Sequence, residues 1–187
     1  MTDRSLGPRA LADDPDRLEQ LFGATDLLPL WIAEPYLEVA EPVRRALADR
    51  AAAGWYGYEA RPKAMVEAFW AWMERRHGWS GEGVATTVSP SVGTSIGVLI
   101  DQHSEPGEGV VLQPPVFTDF KPLVTRAGRR VVKNALVREG SSYRMDLDEL
   151  AEVTRPDDVR LLILCNPHNP VGRVWTADEL AGVAQVC

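Results

Sequence analysis

The chain has 187 residues, of which 45% are hydrophobic and 25% are charged, which is the composition of an ordinary globular protein. A net charge of −7, without any basic run longer than a pair, excludes a nucleic-acid surface and a basic membrane-binding helix. No segment is apolar enough for a signal peptide or a transmembrane helix, so we expect a cytoplasmic protein. The histidines and the two cysteines, Cys165 and Cys187, are too scattered for a metal site, and we interpret both cysteines as packing residues.

The first part of the chain predicts three helices, at residues 15–22, 42–53 and 61–77. Two short segments between them, residues 28–36 and 54–58, are too rich in aromatic residues, Pro or Gly for regular elements and predict packing or binding loops. The third helical pattern is amphipathic, and its apolar face predicts packing in the core. This face consists of Met65, Phe69, Trp72 and Met73.

From residue 84 onward, segments typical of strands alternate with segments typical of helices. The predicted strands cover residues 84–88, 110–112, 130–136 and 159–165. The predicted helices cover residues 95–103, 116–126, 146–153 and 176–186, and Thr176 with Glu179 predicts a capping box for the last of them. Strands that alternate with helices of this length predict an α/β fold with a mostly parallel sheet.

The apolar run at residues 159–165 ends in the sequence NPHNPVG, residues 166–172. In open α/β sheets ligands bind at the carboxyl ends of the strands, so Asn166, His168 and Asn169 are candidate site residues. Asn-Pro pairs are also ordinary turn formers, and the loop alone leaves both interpretations open.

Two earlier loops also follow predicted strands. The loop SPSVGTS, residues 89–95, brings small polar residues to a predicted helix amino terminus, where backbone amides and the helix dipole favour a phosphate; the same residues are typical of a simple helix cap. The loop QPPVFTDF, residues 113–120, places Phe117 where its ring would cover a flat ligand or pack against the protein. With the loop at 166–172, these features favour a site for a flat phosphorylated heterocycle.

These segments resemble the fold type I enzymes that use pyridoxal 5′-phosphate, the class I/II aminotransferase superfamily, and within it the cystathionine β-lyase-like carbon-sulfur lyases. The resemblance implies an α-β-α sandwich, the large domain of that fold, present incompletely at residues 41–187 and preceded by an arm and small-domain segment at residues 1–40. It also implies an amino-acid substrate and a homodimer with a shared active site. The segments that carry it are LPLWIAE, GWYGY, SPSVGTSIG, GEGVVLQPPVFTDF and LLILCNPHNPVGRVWTADEL.

The resemblance further implies roles for individual residues. Asn169 would bind the phenolic oxygen of the cofactor, Phe117 would stack on its ring, and Tyr58 would reach the phosphate of the neighbouring subunit. Residues 34–36, Glu-Pro-Tyr, depart from the lyase pattern, so the particular substrate is not indicated. The phosphate would bind Ser91, Val92 and Gly93, with Thr94 adjacent, and the substrate entrance would be lined by Trp31, Ile32 and Ala33.

The implied activity is that of a carbon-sulfur β-lyase acting on sulfur amino acids, with an aminotransferase or a non-catalytic sensor domain as the alternatives. An unrelated nucleotide-binding domain is disfavoured because both glycine-rich phosphate-loop fingerprints are missing. Such enzymes need a lysine that binds the cofactor covalently, and none of Lys63, Lys121 and Lys133 has the expected sequence context. We therefore expect the catalytic lysine beyond Cys187, and we expect the 187 residues alone to be inactive.

Overall fold

A computed structural model of the chain describes residues 10–33, 37–58 and 63–187. Contacts divide the chain into two compact units, Met1–Trp72 and Met73–Cys187. The predicted division between residues 40 and 41 stays a prediction.

The first unit begins with a short 3-10 turn, Leu11–Asp13, and the helix α1, Pro15–Phe22. The side chain of Asp14 caps α1 by accepting the backbone N–H of Arg17 at 2.8 Å. The indole of Trp31 donates a hydrogen bond to the carbonyl oxygen of Ala12 at 3.3 Å, so this segment folds back on the chain before it. The predicted helix at 15–22 is confirmed.

The next two helices, α2 (Glu41–Ala52) and α3 (Lys63–His77), contain no buried residue. The predicted start of α3 at residue 61 lies outside the described residues. Met65, Phe69 and Trp72 are 46%, 47% and 49% exposed, so the prediction that the apolar face of α3 packs in the core is wrong for the described chain. Helical periodicity identifies which residues share a face, but only a packing partner buries them.

The second unit is built on a three-stranded parallel sheet and a separate two-stranded hairpin. The strands are β1 (Gly109–Leu112), β2 (Arg130–Lys133), β3 (Val137–Glu139), β4 (Ser142–Arg144) and β5 (Val159–Leu162). The parallel sheet has the order β2-β1-β5, which places β1 at its centre, and β3 pairs with β4 in antiparallel register. The sequence did not predict this hairpin.

Helices cover both faces of the parallel sheet. They are α4 (Val92–His103), α5 (Phe120–Arg126), α6 (Leu147–Val153) and α7 (Ala177–Val186). Val110 and Leu112 of β1 pack with Ile100 of α4 and Val124 of α5, whereas Val111 between them belongs to the cluster that includes residues of α6 and α7. Because successive side chains of a strand point to opposite faces, β1 contributes to both cores. The predicted α-β-α sandwich is confirmed.

Residues 84–88 form no strand, contrary to the prediction. All five are exposed, and no strand of the described chain pairs with them. Their Val and Thr content is typical of strands, but β-propensity largely reflects packing against a neighbouring strand, which this segment lacks within the described residues.

Several boundaries also differ from the prediction. The strands predicted at residues 130–136 and 159–165 end earlier, at Lys133 and Leu162, and the three residues after each strand belong to no regular element. The helix predicted at residues 116–126 begins only at Phe120, after a turn in which the Phe120 N–H donates to the Phe117 carbonyl. In contrast, α4 begins at Val92, three residues before the predicted start, so part of the predicted turn belongs to the helix.

Candidate functional site

The amino terminus of α4 presents free backbone donors. Ser91 is the N-cap in extended conformation, and its Oγ accepts the N–H of Thr94 at 3.0 Å. The Thr94 hydroxyl lies 3.0 Å from the same oxygen. Among the described residues, the N–H groups of Val92 and Gly93 have no hydrogen-bond partner. The helix end is thus an anion-binding arrangement with two available amides.

A cleft of about 640 Å³ begins at this helix end and runs between α4 and α5. Two sequence-predicted residues from later loops, Phe117 and Asn169, line the same cleft as Ser91, Val92 and Gly93. Thr94 does not line the cleft, but its hydroxyl and its backbone N–H both contact the Ser91 hydroxyl. The other lining residues are Ile96, Asp119, Phe120, Pro122, Leu123, Arg126 and Cys165.

Phe117 stands in the wall of this cleft on the loop after β1. Its ring is 40% exposed and meets the Phe120 ring edge-on, with centroids 5.5 Å apart and an interplanar angle of 77°. The first turn of α5 therefore holds the ring in place while leaving part of its surface accessible.

The two asparagines of the loop at 166–172 have different environments. The Asn166 side-chain oxygen accepts the backbone N–H of Trp175 at 3.2 Å, so Asn166 closes the loop on itself. The exposed Asn169 side chain has no hydrogen-bond partner in the described chain, and its backbone N–H donates to the Cys165 sulfur at 3.4 Å. Of the two, only Asn169 lines the cleft between α4 and α5 and presents an unused amide to it.

His168, the third candidate in this loop, is 1% exposed. Its Nε2 lies 3.0 Å from the carbonyl oxygen of Pro115, and its ring meets the Trp175 ring edge-on at 5.3 Å. Burial lowers the pKa of His168, outweighing the nearby backbone carbonyls of Pro115, Cys165 and Gln113, which raise it. Burial therefore disfavours the charged form of His168, and the residue does not line the cleft between α4 and α5.

Trp175, which sequence reasoning did not single out, organises the end of this loop. Its indole N–H donates to the Cys165 carbonyl at 2.9 Å, and the Arg173 guanidinium lies over its ring at 4.3 Å. Arg173 also pairs with Glu179 at 2.7 Å, and Glu179 completes the predicted capping box with Thr176. The capping box on α7 is thus confirmed and also anchors the loop.

The interpretation of both cysteines as packing residues is only partly correct. Cys165 is half-buried, lines the cleft and contacts the loop, but Cys187 at the end of α7 is exposed. A chain end packs only when another segment covers it, and none in the described chain does so here.

The remaining predicted site residues belong to the first unit. Tyr58 is fully exposed, Trp31 and Ile32 are half-buried, and Ala33 is exposed. Trp31 lines a small apolar cleft of about 320 Å³ with residues of α1 and the segment 27–30. A role for these four residues in a common site stays a prediction.

In the described ranges, no helix has the length and apolar character needed to cross a bilayer. The same residues contain no group of three or more His, Cys, Asp or Glu side chains arranged to hold a metal ion.

Comparison with known proteins gives concordant matches. The family model described as aminotransferase class I and II matches residues 25–187. Cystathionine beta-lyase PatB of Bacillus subtilis (strain 168) is 37% identical over 172 residues, which cover 92% of this chain and 44% of PatB. The chain therefore spans less than half the length of this relative.

Two solved structures extend the comparison. A protein of Clostridium difficile 630, assigned as an aminotransferase and bound to pyridoxal phosphate, aligns with a TM-score of 0.80 at 32% identity, covering 95% of this chain and 46% of that one. Cystalysin from Treponema denticola, which contains pyridoxal 5′-phosphate, aligns with a TM-score of 0.83 over 100% of this chain and 47% of its own. Its identity of 23% supports the shared fold alone.

Proposed function

Because this chain belongs to the class I and II aminotransferase family, we propose that it forms part of a pyridoxal-phosphate-dependent carbon-sulfur β-lyase that acts on sulfur amino acids. The 37% identity with a cystathionine beta-lyase over 92% of the chain supports the lyase assignment. The observation that carries the proposal is the cleft shared by the α4 amino terminus, Phe117 and Asn169.

The residues in this cleft fit the cofactor. The N–H groups of Val92 and Gly93 have no partner in the described chain and would bind its phosphate, as helix amino termini do. A Cβ atom added to Gly93 would approach nothing closer than the Ser91 hydroxyl, at 3.8 Å, so the phosphate has room. When bound, pyridoxal phosphate supplies an electron sink for negative charge that develops on the substrate.

Each of these residues has one task in the proposed site. Ser91 and Thr94 hold the first turn of α4 in place, so that the amides are aimed before the phosphate arrives. Phe117 covers the cofactor ring and excludes water from one face. The Asn169 side chain donates a hydrogen bond to the ring oxygen and so orients the ring.

The proposal also assigns roles to residues of the first unit. We assign Tyr58 to the cofactor phosphate of a partner subunit, and residues 31–33 to the substrate entrance. The full exposure of Tyr58 supports this assignment, because its hydroxyl is available to another chain. A homodimer with shared active sites and a cytoplasmic location belong to the same proposal.

An aminotransferase is the second candidate, favoured by the 32% identity with the Clostridium difficile protein. The two reactions share the cofactor site and differ in what happens to the substrate. A lyase breaks the carbon-sulfur bond of cystathionine with uptake of water and yields a thiol, pyruvate and ammonia. An aminotransferase passes the amino group to a 2-oxo acid and releases no ammonia.

The test uses the full-length protein with L-cystathionine, with and without a 2-oxo acid. We expect pyruvate and ammonia in equal amounts without the 2-oxo acid. Activity that requires the 2-oxo acid and yields no ammonia would support the aminotransferase instead. Absence of both activities, together with absence of cofactor binding, would contradict the proposal.

A further inference from the structure

His168 connects two loops that approach the cleft from different strands. It lies in the loop after β5, next to Asn169, and its ring reaches Pro115 in the loop after β1, two residues before Phe117. The two residues joined by this hydrogen bond are 53 positions apart in the chain. The bond therefore links two loops that each carry a candidate site residue, Phe117 in one and Asn169 in the other.

The chemistry of the contact determines which proton His168 carries. The Pro115 carbonyl can only accept, so Nε2 must hold the hydrogen and donate it over 3.0 Å. Nδ1 is buried without a hydrogen-bond partner in the described chain, which is consistent with an unprotonated nitrogen in a neutral ring. The ring is fixed on its other side by the edge-on contact with Trp175.

We propose that His168 is a positioning residue whose Nε2–H···O=C bond to Pro115 sets the spacing between the loop that carries Phe117 and the loop that carries Asn169. The inference rests on the proposed function, because the spacing matters only if both residues contact one ligand. Without the bond, Phe117, which covers the ring, and Asn169, which orients it, move independently, and the ligand is bound less tightly.

The groups around His168 explain why a neutral ring suits this task. The His168 ring faces the backbone carbonyls of Gln113, Pro115 and Cys165 and the Trp175 ring. The charged side chain of its own loop, Arg173, lies over Trp175 and is paired with Glu179. Within the described part of the chain, the groups that contact the ring include no carboxylate that would stabilise a second ring proton.

A matched pair of variants separates the hydrogen bond from packing. In His168→Gln the side-chain amide nitrogen occupies approximately the position of Nε2 and can still donate to the Pro115 carbonyl. In His168→Asn the side chain is too short for its amide to reach this carbonyl. Both variants lose the ring that packs on Trp175. The variants are made in the full-length protein and freed of cofactor. The probe is pyridoxine 5′-phosphate, which has the phosphate, ring and phenolic oxygen but no aldehyde to react with lysines, and its binding is measured by equilibrium dialysis.

We expect His168→Asn to weaken pyridoxine 5′-phosphate binding about tenfold, the effect of one lost hydrogen bond, and His168→Gln to stay within about threefold of the parent chain. Equal affinities in the two variants, at any level, would overturn the inference and reduce His168 to a packing residue. A full-length parent protein that, freed of cofactor, does not bind the probe would overturn the proposed function, and the inference with it.

Nuclear magnetic resonance of 15N-labelled histidine tests the hydrogen bond without any ligand. His77 and His103 are exposed and serve as internal references. We expect His168 to show a protonated Nε2 and an unprotonated Nδ1 at pH 7, and its resonances to titrate below the ordinary histidine pKa of 6.5. The opposite tautomer would contradict the inference even if the cofactor site is correct.

Discussion

The side-chain amide of Gln113 donates a hydrogen bond to the side-chain oxygen of Asn134 over 2.9 Å, and both residues are completely buried. Each follows a strand of the parallel sheet, Gln113 after β1 and Asn134 after β2. The Asn134 amide in turn donates to the Asp146 carbonyl and the Glu149 carboxylate, both at 2.9 Å. These hydrogen bonds connect the carboxyl ends of β1 and β2 to the start of α6.

The first prediction concerns this buried network. Replacement Asn134→Ala leaves the Gln113 amide without an acceptor, and a buried unsatisfied donor costs about 1–3 kcal/mol. We expect the free energy of unfolding, measured in urea, to fall by that amount. Lys133→Ala, a change at the exposed neighbouring position, is the control and should cost about 0.5 kcal/mol or less. Equal losses in the two variants would refute the role of the network.

The second prediction tests the proposal that the free amides at the start of α4 bind the phosphate. Val92→Pro removes one N–H at the first position of α4, where proline is preferred, and the extended Ser91 before it is compatible with a following proline. Because a hydrogen bond to a charged group contributes about 1.5–3 kcal/mol, we expect pyridoxine 5′-phosphate affinity to fall at least about tenfold. The melting temperature should not decrease.

Val92→Ala is the matched control, since it shortens the same exposed side chain but keeps the N–H. Pyridoxine without its phosphate is the ligand control, and its affinity should not respond to Val92→Pro. A loss of affinity in the alanine variant, or for the unphosphorylated ligand, would argue against these amides as the phosphate site.

The third prediction separates the two Asn-Pro pairs. Asn166→Ala removes the acceptor of the Trp175 N–H and should lower the free energy of unfolding by about 1 kcal/mol. Asn169→Ala removes an exposed amide without a partner in the described chain, so stability should be unchanged while affinity for pyridoxine 5′-phosphate falls. Urea unfolding and equilibrium dialysis on both variants check this pattern, and the reverse pattern would exchange the two roles.

The fourth prediction concerns the proposed shared site in the full-length protein. Tyr58→Phe and Asn169→Ala should each impair activity as homodimers. If Tyr58 serves the partner subunit, a mixed dimer contains one site in which both residues are intact. Mixed and re-assembled subunits should therefore regain up to about a quarter of the wild-type activity, as expected for random pairing of two variants. Activity that stays at the level of the parents would place Tyr58 and Asn169 in the same subunit's site.

The fifth prediction is a pH dependence of stability. Burial lowers the pKa of His168 below its ordinary value of 6.5. As the pH falls below 6.5, the unfolded chain takes up a proton that the folded chain resists, so the free energy of unfolding decreases until the pH passes the lowered folded pKa. We expect this decrease in urea unfolding at graded pH. His168→Gln, which cannot titrate, should lack this component, and identical pH profiles would disprove it.

Local patterns were sufficient to predict most elements of the fold. The alternation of apolar runs with helical segments predicted the sandwich, because a buried parallel strand and an amphipathic helix each have a recognisable periodicity. Caps were predictable for the same reason: Thr176 and Glu179 lie within one helical turn and interact through neighbouring backbone groups. The free amides of Val92 and Gly93, which we propose bind the phosphate, also follow from their position at a helix start, even though the start was placed three residues too late.

What the sequence determined by itself about this protein is its set of local elements and the loops that end at the carboxyl edge of the sheet. Only the tertiary structure decided that residues 84–88 pair with no described strand, that Asn166 closes a loop while Asn169 lines the cleft, and that His168 is buried against Pro115. These outcomes depend on contacts between segments that are far apart in the chain. Residue type and spacing within one segment do not indicate which other segment will pack against it. The physical reason is that burial and hydrogen bonding are properties of pairs, whereas propensity and periodicity are properties of single segments.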